Sequence, residues 1–402
     1  MKIVGIIAEY NPFHKGHQYH IEEAKRLTNA DAAVVVMSGN FVQRGAPAIM
    51  PKHLRAEAAL KAGSSVILEL PACYATGTAE QFAYGAVSLL HKLGCVDTIC
   101  FGSECGDIIS LQAIATILCE EPADYKNLLQ KNLRLGLSFP AARSAAIQEL
   151  YPDSNFSSIL EQPNNILAIE YLKALKRLNS PIKSVTITRK GADYHNMHLQ
   201  ENYSSATAIR NSIGTEGVAI LKKQVPDTTI SLLQETYQKR YPVFANDFSL
   251  LLKYRLLNET KNSLVQYGDV SEELSNRIYK QLNQYESFEQ FCELLKTREL
   301  TYTRISRALL HVLLKIKKTD MTEIAYARIL GFQKQETDVL TELKKHSSIP
   351  LVSKLTATDE LSDIAKQMLD TDIRVSDLYE SVITDKFKTP FINEYEHLIV
   401  RI

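Results

Sequence analysis

Ile3-Val4-Gly5-Ile6-Ile7-Ala8 runs without a break into Glu9-Tyr10-Asn11-Pro12-Phe13-His14-Lys15-Gly16-His17-Gln18-Tyr19-His20. The first stretch is continuously apolar, as a parallel strand buried on both faces must be. The second carries His14 and His17 with Gly16 between them, and helical spacing begins at His17 and continues to Leu27. A loop joining a first strand to a first helix lies at the mouth of a parallel α/β sheet, where nucleotides commonly bind. The free amides of a helix start favour an anion there. Gly16 admits close backbone approach, and an imidazole donates a hydrogen bond or carries a proton near neutral pH. His-x-Gly-His alone recurs by chance; its place between strand and helix gives it weight. The plain alternative is a pair of surface histidines at a helix start.

The alternation continues outward from this loop. Strands are predicted at 31–37, 65–70, 97–101 and 184–189, and helices at 52–62, 79–93 and 164–178. Gly63 and Gly94 stand where helix C-caps belong. Strand-helix alternation with short turns specifies right-handed crossovers and a parallel sheet. Residues 107–150 have helical character and form a candidate insertion. After about residue 215 the strand signal fades, and Ser249–Leu257, 272–285, 288–297, 304–317 and 322–330 all have helical spacing. The reading is an α/β domain over 1–215 and a mostly α-helical domain over 216–402, divided somewhere within 212–245.

Bulk composition agrees with this plan. The chain has 402 residues, which favours two domains over one core. Lys plus Arg and Asp plus Glu are 46 each, so the net charge is zero. A uniformly basic coat is excluded, whereas a local basic patch is not. The six cysteines include no Cys-x-x-Cys pair and read as reduced, buried thiols. The first residues lack the apolar core of a signal peptide, and no apolar run reaches the roughly 18–20 residues that span a bilayer. These features predict a cytoplasmic protein without membrane contact.

Three further loops fall on the ligand side of such a sheet. Gly39-Asn40-Phe41-Val42-Gln43-Arg44-Gly45 offers Arg44 for a carboxylate or phosphate, or simply for solvent. Gly102, in Phe101-Gly102-Ser103-Glu104, leaves bare backbone at a strand end, which suits adenine or ribose as well as an ordinary turn. Ser204-Ser205-Ala206-Thr207-Ala208-Ile209-Arg210 opens a helix with hydroxyls that cap it and amides that bind anions. Arg210 is placed to reach the same anion. Alone this is a serine cap; with His14 and His17 it is half of a pair.

Residues 296–318 hold seven basic side chains (Lys296, Arg298, Arg304, Arg307, Lys315, Lys317 and Lys318) against one acidic, Glu299. Arg304, Arg307 and His311 share a helical face, with Tyr302 nearby. Such a run is usually a solvated face, and it also suits an RNA backbone.

The paired motifs resemble the nucleotidylyltransferase superfamily, whose His-x-Gly-His signature follows strand one and whose Ser/Thr-rich helix start with a basic residue follows the last core strand. Longer stretches narrow the match. Residues 8–20, 39–48, 68–71, 78–83, 101–104, 162–165 and 189–195, together with the helical second half, resemble the bacterial tRNA(Met) cytidine acetate ligase family. The resemblance spans essentially the whole chain. It implies a Rossmann-like parallel-sheet domain and a helical domain that binds tRNA. It also implies an enzyme that converts acetate and ATP to acetyl-adenylate and pyrophosphate. The acetyl group then passes to the wobble cytidine of elongator tRNA(Met), giving N4-acetylcytidine.

Family roles carry over to Ile7 through His20, Gly102, Asn165 and Arg189 for ATP, with Asn164 and Lys190 as neighbouring alternatives. His14, His17 and Arg210 would stabilise charge on the departing pyrophosphate. Arg304, Arg307 and Lys315 would meet RNA. Magnesium is expected to arrive with ATP, with no dedicated carboxylate cage in the sequence. Asp193 and His195 are candidates for a general base, and a structural loop accounts for them equally well. Two other functions remain open from the residues: a small-molecule adenylyltransferase, and a non-catalytic RNA-binding protein on a relict nucleotide fold. The long helical half exceeds what the first needs, and the intact motif argues against the second. Oligomeric state is not legible.

Overall fold

The computed structural model describes residues 1–189 and 204–402. The valine- and isoleucine-rich runs become strands β1 (Ile3–Ala8), β2 (Ala32–Ser38), β3 (Phe41–Val42), β4 (Ala46–Pro47), β5 (Val66–Leu70), β6 (Thr98–Ser103), β7 (Lys183–Thr188), β8 (Ala327–Phe332), β9 (Leu351–Val352) and β10 (Val400–Arg401). β3 and β4 form a small ribbon. The others make one eight-stranded sheet in the order β10-β8-β5-β2-β1-β6-β7, with β9 on β8. From β5 to β7 every pairing is parallel. The chain thus builds the α/β architecture that the alternation predicted.

β1 is central, with β2 and β5 on one side and β6 and β7 on the other. The crevice beyond the C-terminal ends of β1 and β6 is therefore a topological switch point, where such sheets bind ligands. Both faces are covered. Along β2, Val34 and Val36 enter one core, and Ala33, Val35 and Met37 enter the other, as the two-residue period requires. The helices Lys15–Thr28, Lys52–Lys61, Ala79–Lys92 and Pro163–Arg177 make the crossovers. Residues 107–150 are helical as read, in Ile108–Glu120, Ala123–Arg134 and Phe139–Leu150.

Beyond 215 helices dominate, among them Ser249–Leu257, Glu272–Gln281, Phe288–Leu295, Tyr302–Leu314 and the 25-residue Asp363–Phe387. One expectation fails here. The helix read at 322–330 is instead β8, which pairs antiparallel with β5. A short apolar run has no decisive period of its own. The free edge of β5 supplies partners for its backbone amides and carbonyls, and that need prevails. β9 and β10 then pair with β8, so the helical half returns three strands to the first sheet.

A buried charge network fastens this return. Lys52 Nζ lies 2.7 Å from Glu69 Oε1 and 2.9 Å from Glu394 Oε1. Arg328, on β8, bridges the same carboxylates at 3.2 and 2.5 Å. His53 and His397 stack beside Glu394 and, with it, have the spacing of metal ligands. Two cations already hold that carboxylate, so a metal ion would add a third positive charge in a low-dielectric site. Among the described residues no helix is long and apolar enough to cross a membrane.

Candidate nucleotide site

His14 is the N-cap of helix Lys15–Thr28, in extended backbone. Its Nδ1 accepts a hydrogen bond from the Gly16 amide at 3.1 Å, and His17 Nδ1 accepts from the His14 amide at 3.3 Å. The two imidazoles thus form a reciprocal capping box. Both Nδ1 atoms are spent as acceptors, which places the protons on Nε2. The rings stack with centroids 3.7 Å apart. Burial, then the charges of Arg189 and Arg210, pull the His14 pKa down to about 3. Burial and the neighbouring His14 hold His17 well below the ordinary histidine value. The loop therefore presents neutral imidazoles that donate through Nε2–H. Tyr10, held at φ 49°, packs edge-on against Phe13 and His17 and supports the pair from behind.

The second half of the motif arrives as read. Ser205 caps helix Ala206–Glu216 by accepting from the Ala208 amide at 3.1 Å. Arg210 Nη1 donates to the Asn11 carbonyl at 2.7 Å and Nη2 to Thr207 Oγ1 at 3.0 Å. The first loop and the last core helix are thereby locked together. A cavity of about 290 Å³ opens between them, and His14, His17, Gly102, Arg189 and Arg210 all line it. A Cβ on Gly102 would sit 3.2 Å from Arg189 Cγ, so the glycine makes room for that side chain.

Asn164 and Asn165 separate in role. Asn164 lines the cavity. Asn165 is buried, and its Oδ1 accepts from the amides of Glu104 and Cys105 at 2.9 and 3.2 Å. Glu104 reciprocates: its carboxylate accepts from the Asn164 and Asn165 amides at 3.1 and 2.7 Å. That carboxylate caps helix Pro163–Arg177 and complements its dipole. Lys190, Asp193 and His195 lie outside the described residues.

Sequence reasoning missed Arg55. It stands on an alanine-rich helix that gave no sign of a special role, yet it is fully buried. Its guanidinium donates to the carbonyls of Met50, Glu9, Ser38 and Gly39. Burial pulls its pKa down to about 10, so it remains a cation. It ties the ends of β1 and β2 to the loop that follows them.

The basic helix differs from its reading. Arg304, Arg307 and His311 do not form an open face. His311 is buried, with its ring 3.0 Å from the Thr76 carbonyl. Arg307 is held by Asp269 through two hydrogen bonds of 2.9 and 3.1 Å. The reason is the loop before it: Ser306 Oγ donates to the Gly45 carbonyl at 2.8 Å, and Gly45 lies directly on the Arg307 backbone. The helix buttresses the Arg44 loop. Arg304 is half-buried, and Lys315 is exposed.

A family model described as HIGH Nucleotidyl Transferase matches residues 1–393. A tRNA(Met) cytidine acetate ligase of Caldanaerobacter subterraneus is 44% identical over 384 residues, covering 94% of this chain and 95% of its own. The Clostridium novyi protein of that name is 42% identical over 97% of this chain and 98% of its own. Crystal structures of Thermotoga maritima TmcAL, apo and bound with alpha-thio ATP, superpose with TM-scores of 0.93 and 0.91. Each is 31% identical and covers 100% of both chains. The chain belongs to the HIGH nucleotidyl transferase family and, within it, to the tRNA(Met) cytidine acetate ligases.

Proposed function

We propose that this chain activates acetate with ATP as acetyl-adenylate and transfers the acetyl group to the wobble cytidine of elongator tRNA(Met). The observation that carries the reading is the contact of Arg210 with the Asn11 carbonyl, which closes the two motif halves around one cavity. Acetate attacks the α-phosphorus, and negative charge grows on the departing pyrophosphate. His14 and His17 donate neutral N–H groups to it, and Arg189 and Arg210 supply fixed positive charge. Asn164 and Gly102 complete the nucleotide cleft, and Asn165 positions Asn164 through Glu104. The nucleotide analogue in the Thermotoga maritima relative supports ATP as the substrate.

Magnesium would enter as the counter-ion of ATP and would supply charge neutralisation there, with Glu9 the one carboxylate on the described cavity wall. The helical half contributes the tRNA surface. Arg304 and Lys315 remain its candidates there; the guanidinium of Arg307 is committed to Asp269.

The test is incubation with ATP, magnesium and radiolabelled acetate, with and without bulk bacterial tRNA. Label in tRNA is expected. Acetate-independent transfer of AMP to a small metabolite would favour a small-molecule adenylyltransferase, and absence of ATP turnover would favour a relict fold.

A further inference from the structure

We infer that Glu9 receives the exocyclic amine of the incoming cytidine, first as hydrogen-bond acceptor and then as proton acceptor, in the acetyl-transfer half-reaction. This rests on the ligase reading above.

Attack on acetyl-adenylate forms a bond between cytidine N4 and the acetyl carbon. The bond from that carbon to the AMP phosphate oxygen breaks, and AMP leaves with the electron pair. The nitrogen must also lose a proton. The histidines are poorly suited to take it. Their Nδ1 atoms already accept backbone N–H groups, and the His14 pKa near 3 makes it a weak base.

Glu9 has the geometry. It follows β1 directly and lines the same cavity as His14 and His17. Its carboxylate is held by one oxygen: Oε1 accepts from the Gln43 amide at 2.9 Å. Its carbonyl accepts from the buried Arg55 at 2.5 Å. Both ends of the residue are thus fixed before substrate arrives, as a catalytic group requires. Among the described residues nothing hydrogen-bonds to Oε2.

Phe101 and Tyr171 edge the same cavity but are buried in the core, so the recognition rests on the carboxylate. A carboxylate accepts from the N4 amine of cytosine and repels the carbonyl that uracil carries at the equivalent position.

The experiment separates the two half-reactions in the full-length protein with ATP, magnesium, acetate and unmodified tRNA(Met) transcript. Acetate-dependent ATP–pyrophosphate exchange reads adenylation, and single-turnover transfer of labelled acetyl reads the second step. Glu9→Gln is expected to slow transfer by about 100-fold or more and to slow exchange far less, so that the ratio of transfer to exchange falls by about tenfold or more. Glu9→Asp, which keeps a carboxylate, is expected to transfer faster than Glu9→Gln. Exchange falling in step with transfer would overturn the assignment, because Glu9 would then serve ATP or magnesium. So would wild-type transfer by Glu9→Gln, or equal transfer by the two variants. Failure of the unaltered protein to exchange in response to acetate would instead remove the ligase reading itself.

Discussion

His14 and His17 act through what they cannot do as well as what they can. Each spends Nδ1 on the helix start, so neither changes charge in the ordinary histidine range. ATP affinity measured by calorimetry is therefore expected to be flat between pH 6 and 8; a steep rise below pH 6.5 would show that the pair protonates there. His14→Ala or His17→Ala is expected to lower acetate-dependent exchange by about 100-fold or more, with far-ultraviolet circular dichroism preserved. The same burial has a consequence for stability. His14 and His20 have folded pKa values of about 3 and 4, below the unfolded value near 6.5. The unfolded chain binds more protons in that window, so stability is full above about pH 6.5 and declines as pH falls towards 3 to 4. Urea denaturation at pH 7 and pH 5 should differ by about 1–2 kcal/mol for each group. His20→Gln should reduce that difference.

At the scale of single elements, helix starts and strand edges decide most of the site. Helix Pro163–Arg177 has no side-chain bond from its own N-cap residue, Gln162; Glu104 on the facing loop supplies it. Glu104→Ala is expected to cost about 1–2 kcal/mol by chemical denaturation. It should also raise the KM for ATP, because Asn164 loses its anchor; an unchanged KM would count against that link. β8 marks where local pattern misled, and helix Tyr302–Leu314 where it stopped short. Spacing correctly put Arg304, Arg307 and His311 on one face, yet spacing does not say whether a face meets water. The Gly45 loop packs on the backbone at Ser306 and Arg307, Asp269 neutralises Arg307, and His311 is buried, while Arg304 stays half-buried. β8 is a strand because β5 has an edge to satisfy, which no window around 327–332 can reveal.

Across the whole molecule, the Lys52, Glu69, Arg328 and Glu394 network joins the first helix–strand units to the last residues of the chain. Removing Lys52 leaves two buried carboxylates sharing the single guanidinium of Arg328. Lys52→Met is expected to destabilise the protein by about 3–5 kcal/mol, read as a shifted urea midpoint. An unchanged midpoint would mean that the site admits water freely.

The sequence by itself determined the parallel sheet and the position of its mouth, because buried strands must be apolar and helix starts must be capped. It also marked both capped helix starts that line the cavity, since each is a local cap motif. Only the tertiary structure decided that Arg210 meets Asn11, that Arg55 is buried beneath both strand ends, and that Asn165 supports while Asn164 faces the cavity. It alone turned 327–332 into a strand, buried His311 and paired Arg307 with Asp269. Each of these depends on a partner distant in the chain, and desolvation sets its outcome. Burial, which sequence spacing does not encode, decides whether a charge becomes a ligand, a brace or a solvated surface.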